Sequence, residues 1–181
     1  MRVQGLSALW RVIAAIVTTA VIGSDALAHE IPNDVKLNVF FKPDGNHLLL
    51  LVRAPLAAMN EAEIPTRGPG YIDLARAEEA LRGAAKIYLT DNLAVTENNT
   101  PLPAPRVVQA RISLPSDKSF ASYAEALARV EGPPLDPGLE LYWNQQLLDV
   151  LLEYPIQSDR SEFAIELRVD RLVCRRYALN K

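Results

Sequence analysis

The chain has 181 residues, a formal net charge of −3, 49% hydrophobic and 23% charged residues, and a single cysteine, Cys174. That length and balance bound a globular chain of about one domain. No basic stripe of the kind that grips nucleic acid is present, and one cysteine cannot close an intrachain disulfide, so packing must carry the stability.

The chain opens with Arg2 and Arg11 ahead of an apolar run from Val12 to Gly23, followed by Ala26-Leu27-Ala28 and then His29-Glu30. About a dozen apolar residues fall short of the roughly 20 that cross a bilayer, and small residues stand at the last and third-last positions before the break. We read residues 1–28 as a signal peptide, so that the mature chain begins at His29 and is periplasmic or secreted. The alternative is an uncleaved anchor over residues 8–22, which would be the chain's one attachment to a membrane. Residues 29–170 form the expected β-rich domain, and residues 171–181 a basic, irregular tail.

Val35, Leu37, Val39 and Phe41 alternate with Lys36, Asn38 and Lys42, the period of a half-buried strand. Pro43-Asp44-Gly45-Asn46 predicts a hairpin. If Asp44-Gly45 is its two-residue turn, Phe41 faces Leu48, Val39 faces Leu50 and Leu37 faces Val52. The second strand is apolar on both faces through Leu49 and Leu51, so it should be central and covered on both sides. Pro55 ends it.

Ile64 to Gly70 is too rich in Pro and Gly for regular structure and reads as a surface loop. Three- and four-residue spacing of Leu74, Ala77, Leu81, Ala84, Ala85 and Tyr88 predicts a helix over Asp73 to Leu89, with Asp73 as its N-cap. Asp91 to Glu97 and Arg106 to Leu114 are strand-like around a turn-rich stretch from Asn98 to Pro105. Ser122-Tyr123-Ala124-Glu125 spells a capping box for a short helix that Gly132-Pro133-Pro134 ends. Leu139 to Trp143 and Leu147 to Tyr154 are strand-like. Phe163, Ile165, Leu167 and Val169 alternate with polar residues, and the polar Gln157 to Ser161 link predicts a second hairpin. The expected fold is therefore mainly β, an antiparallel sandwich-like domain with two helical excursions, α+β being the alternative.

Chemistry-bearing residues are few. His29 is the sharpest candidate, because cleavage before it would set a free amine beside its imidazole, a nitrogen pair that suits Ni²⁺ or Cu²⁺. His47 lies beside the hairpin turn, roughly 26 Å away along the strand, too far to share that metal. No nucleophile elbow or phosphate loop occurs, so no catalytic residue is assigned and the chain reads as non-enzymatic. Asp117-Lys118 and Asp159-Arg160 sit in similar loops and read as turn-capping and salt-bridging residues. Tyr142 and Trp143 read as core.

Five blocks carry a resemblance: AHEIP at 28 to 32, LLVRAPLAAM at 50 to 59, RGPGYIDLARA at 67 to 77, LPSDKSFASYAEAL at 114 to 127 and ELYWNQQLLDVLLEYPIQSDRSEFAI at 140 to 165. Together they resemble the extracytoplasmic N-terminal region of HupE/UreJ-like membrane proteins. The resemblance implies a β-rich exported region ahead of a multi-helix membrane domain, and an association with nickel or other metal uptake. The expected partners are accordingly a membrane protein or a metal ion, and not nucleic acid. The present chain lacks the membrane helices, so a truncated, inactive fragment is the competing expectation and a hydrolase a distant third.

Overall fold

The computed structural model describes residues 35–59, 61–167 and 178–179, all within the unit Pro32–Lys181. The proposed cleavage site, His29 and Cys174 lie outside them. Two strands open the fold, β1 (Asn38–Asp44) and β2 (His47–Pro55), joined by the two-residue turn Gly45-Asn46. Gly45 sits at φ 60, the positive first position that a II′ turn requires and that glycine takes without a steric penalty.

The turn lies one residue later than expected, so Phe41 faces Leu50 and Val39 faces Val52. A slip of two residues keeps every side chain on its face. Val35, Leu37 and Val39 therefore reach the main core as expected.

The remaining strands are β3 (Thr66–Arg67), β4 (Tyr71–Ile72), β5 (Leu93–Glu97), β6 (Thr100–Pro101), β7 (Arg106–Ser113), β8 (Leu147–Pro155), β9 (Phe163–Leu167) and β10 (Ala178–Leu179). A five-stranded sheet runs β10-β1-β2-β8-β7, a three-stranded sheet β6-β5-β9, and β3 and β4 form a separate small hairpin. The pairings are antiparallel except for β1 with β10. The fold is mainly β, with two α-helices among the described residues, α1 (Glu78–Tyr88) and α2 (Tyr123–Glu131).

β2 is central, as its two apolar faces require. On one side Leu48, Leu50, Val52 and Ala54 join Leu148, Val150 and Leu152 of β8, Leu81 and Ala85 of α1, and Val95 of the small sheet in one large cluster. On the other side Leu51 and Leu151 meet Phe40, Phe120, and Ala126 and Val130 of α2.

Three local expectations are corrected. β8 and β9 do not form a hairpin: both edges of β8 are taken, by β2 and β7, so β9 pairs with β5 in the other sheet. The Gln157 to Ser161 link is thus a crossover. Asp73 is not the N-cap of α1: its carbonyl accepts from the Arg76 N–H (3.0 Å) in a separate turn, its N–H bonds the Pro65 carbonyl (2.8 Å), and the helix starts at Glu78 with Ala77 as N-cap. Leu139 to Trp143 is not a strand; Trp143–Gln145 is a 3-10 turn. Half of the capping box forms: Ser122 is the N-cap and its hydroxyl accepts from the Glu125 N–H at 3.3 Å. Asn98 and Asn99, at φ 48 and 64, make the tight β5–β6 turn inside the stretch expected to be turn-rich.

Candidate functional site

Strand alternation places Arg53 of β2 directly opposite Asp149 of β8, on the sheet face that α2 covers. The pair is bidentate: Arg53 Nε donates to Asp149 Oδ1 at 2.6 Å and Nη2 to Oδ2 at 2.7 Å. The Ser113 hydroxyl of β7 donates to the same Oδ2 at 2.5 Å. Arg53 also donates to the Asp117 carbonyl (2.8 Å), to Asp117 Oδ1 (3.1 Å) and to Ser119 Oγ (3.1 Å), and its guanidinium lies 4.3 Å from the centre of the Phe120 ring. Arg129 of α2 closes the network, donating to Asp117 Oδ2 (3.1 Å) and to the Ile112 carbonyl (2.9 Å).

Such a set is a clamp. Asp149 is fully buried, and an unpaired carboxylate there would be prohibitive. Burial opposes the charge on Arg53, but Asp149 and then Asp117 outweigh it and raise its pKa. Burial likewise works against the Asp117 carboxylate, yet the Ser119 hydroxyl and N–H and the Arg53 guanidinium pull it down to about 2. Asp117 thus performs both the turn-capping and the salt-bridging expected of it. In the second loop of that type the cap is instead Ser158, whose hydroxyl accepts from the Arg160 N–H at 3.2 Å. Arg53 and Asp149 were missed in the sequence although a signal exists. Arg53 is the one Arg, Lys, Asp or Glu of β2, and Asp149 is set between the apolar Leu148 and Val150 of β8; opposite charges inside two apolar runs that share a sheet are brought together.

His47 stands beside the turn as expected, half exposed, with Nδ1 2.8 Å from Glu153 Oε1; Arg106 donates to the other Glu153 oxygen at 2.5 Å. Among the described residues no group of three or more His, Cys, Asp or Glu side chains is placed to hold a metal ion. The metal expectation therefore rests on His29, outside those residues.

Tyr142, expected in the core, is exposed at 39%, beside Leu139 at 38%. Its ring lies 4.6 Å from that of Tyr71, tilted by 47°. Backbone explains the arrangement: Gly68 (φ 55) and Gly70 (φ 115) turn the chain so that β3 and β4 pair. The Ile72 N–H then reaches the Leu141 carbonyl at 2.8 Å, and Tyr71 bridges Tyr142. Arg67 fixes the other side by donating to the Pro137 (3.1 Å) and Leu139 (2.9 Å) carbonyls. Trp143 packs partly against the main core, as expected.

Two of the surface clefts lined by described residues bear on the site. One of about 380 Å³ lies beside the β5–β6 turn, lined by Glu97, Pro101, Pro103, Ile156 and Gln157. The Glu97 carboxylate accepts from the N–H groups of Gln157 (3.0 Å) and Ser158 (3.1 Å). Burial opposes its charge, but the Ser161 hydroxyl and these amides hold it below the ordinary carboxylate range. That carboxylate is committed to pinning the crossover. The second cleft, about 210 Å³, runs between α1, β7 and the 134–137 segment. Among the described residues no helix is long and apolar enough to cross a membrane. Comparison with protein-family models, with curated proteins and with solved structures finds no match.

Proposed function

We propose that the chain is an exported, non-enzymatic domain of the kind HupE/UreJ-like proteins carry outside the membrane, and that it holds a protein partner, itself a membrane protein. The observation that carries this reading is the ledge on which Tyr142 and Leu139 are exposed, with the half-buried Tyr71 ring against Tyr142, on backbone that Arg67 pins from two carbonyls. Large amphipathic rings on a preordered ledge supply contact area at little entropic cost, which is why interfaces use them. The Arg53–Asp149 clamp supports holding rather than chemistry, because its donors and acceptors are spent on one another. Export rests on the leader and its Ala26-Leu27-Ala28 triplet; a nickel or copper ion at the processed N-terminus rests on His29.

The test places a photo-crosslinking residue at position 142 and, as control, at position 166, where Glu166 is exposed on β9. The reading expects an adduct with a membrane-fraction protein from position 142 that Tyr71→Ala removes. No adduct, or equal adducts from both positions, contradicts it. For the metal, calorimetric titration with Cu²⁺ and Ni²⁺ compares the processed chain, a chain extended by one residue ahead of His29, and His29→Ala. Binding by the first alone is expected, weakening as pH falls through the imidazole range near about 6.5.

A further inference from the structure

The β7 strand is the outer strand of the large sheet, and its backbone phase is fixed by one bond. The Leu56 N–H reaches the Gln146 carbonyl at 2.9 Å, so in the β2–β8 ladder the even-numbered residues of β8 face β2 and the odd-numbered ones face β7. Asp149 and Leu147 are partnered by Arg111 and Ser113, which leaves Ala110 and Ile112 with both N–H and C=O turned outward.

Their carbonyls are covered. Ile112 O accepts from Arg129 at 2.9 Å and Ala110 O from Arg111 Nη1 at 3.4 Å, while Arg82 of α1 covers the Val107 (3.0 Å) and Val108 (3.2 Å) carbonyls at the bulge. The outward N–H groups of Ala110 and Ile112 meet no acceptor among the described residues, although both residues are almost fully buried. Arg111 Nε is buried with no hydrogen-bond partner. An unpaired buried donor is costly, and three of them on one strand demand an acceptor.

All three residues line the 210 Å³ cleft, whose other walls are Leu74, Leu81 and Leu135 with Glu78 at the rim. The Glu78 carboxylate is engaged by Arg82 at 3.3 Å. The cleft is thus donor-rich, cationic and apolar-walled, and its volume is what about seven waters occupy in the liquid, too small for a drug-sized molecule and right for one apolar side chain.

We propose that this cleft binds the C-terminal residue of an extended peptide, with the terminal carboxylate on Arg111, a peptide carbonyl on an outward N–H of β7, and an apolar terminal side chain against Leu81 and Leu135. The spacing selects a peptide over a free acid: N–H groups two residues apart on a strand are separated by about 6.8 Å, beyond one carboxylate but matched by acceptors two residues apart on a second strand. The site goes beyond the tyrosine ledge and does not depend on it.

The test follows the amide and Arg Nε–H resonances of the ¹⁵N-labelled full chain during titration with Ala-Ala-Leu bearing a free carboxylate, the same peptide as its C-terminal amide, and 4-methylpentanoate. The free-carboxylate peptide is expected to shift Ala110, Ile112 and Arg111 Nε, and to bind at least tenfold more tightly than either comparator. Arg111→Met, which keeps the stem and removes the guanidinium, should lose that preference with the remaining resonances unmoved. Equal binding of acid and amide, equal binding of 4-methylpentanoate, no shift at these three groups, or unchanged binding to Arg111→Met would each overturn the proposal.

Discussion

On one face of the five-stranded sheet, Leu48, Leu50, Val52, Leu148, Val150 and Leu152 meet a helix and a second sheet across an apolar interface. On the other face the alternate residues of the same strands include Arg53 and Asp149, and α2 sits on a small apolar patch beside an ionic clamp. The first contact is held by area removed from water, which is non-directional. The second is held by groups that fit in one geometry only, and it fixes where the 114–122 segment and α2 lie.

The difference can be broken at several points. Leu50→Asp should have the largest effect, because it sets an unpaired charge at a fully buried position of the apolar face. A loss of about 4 kcal/mol or more is expected, read as loss of the cooperative melt; an unchanged melt would mean that this face is not the main core.

Acid should act mainly on the other face. With the Asp117 carboxyl lowered to about 2, its contribution is fully present above the unfolded-state value of about 3.9 and is lost as pH falls through the folded value. About 2 kcal/mol should disappear across that window, with Glu97 adding to the trend in the same direction. Urea midpoints against pH should fall less steeply for Asp117→Asn than for the wild type.

Tyr154 sharpens the comparison from the apolar side. Its hydroxyl is buried without a partner, and burial pushes its pKa up to about 12. Tyr154→Phe should therefore stabilise the fold by about 1 kcal/mol. Arg82→Ala should cost less than about 1 kcal/mol, but it uncovers the Val107 and Val108 carbonyls on the outer strand. Concentration-dependent light scattering should rise, since bare strand edges pair with one another.

What the sequence reveals follows the same division. The apolar face was legible in the alternation of Val35, Leu37 and Val39 and in the doubly apolar β2, and a turn misplaced by one residue left every face correct because side chains repeat every two. Tertiary competition was not legible. Nothing local to Phe163–Leu167 tells that β8 has no free edge, and nothing local to Asp73 tells that its N–H is taken by Pro65. The clamp escaped because Arg53 and Asp149 lie far apart in the chain and each reads alone as a surface charge. The exposed Tyr142 escaped because its pairing with Tyr71 depends on two glycines at positive φ.

The claim that the α2 face is held by the ion pair is tested most directly by a double-mutant cycle on Arg53 and Asp149, measured by urea denaturation of Arg53→Met, Asp149→Leu and the double variant. Each single change should cost about 3–5 kcal/mol, because it strands a buried charge, and the double should cost less than the two together by at least about 2 kcal/mol. Additive losses would contradict the account.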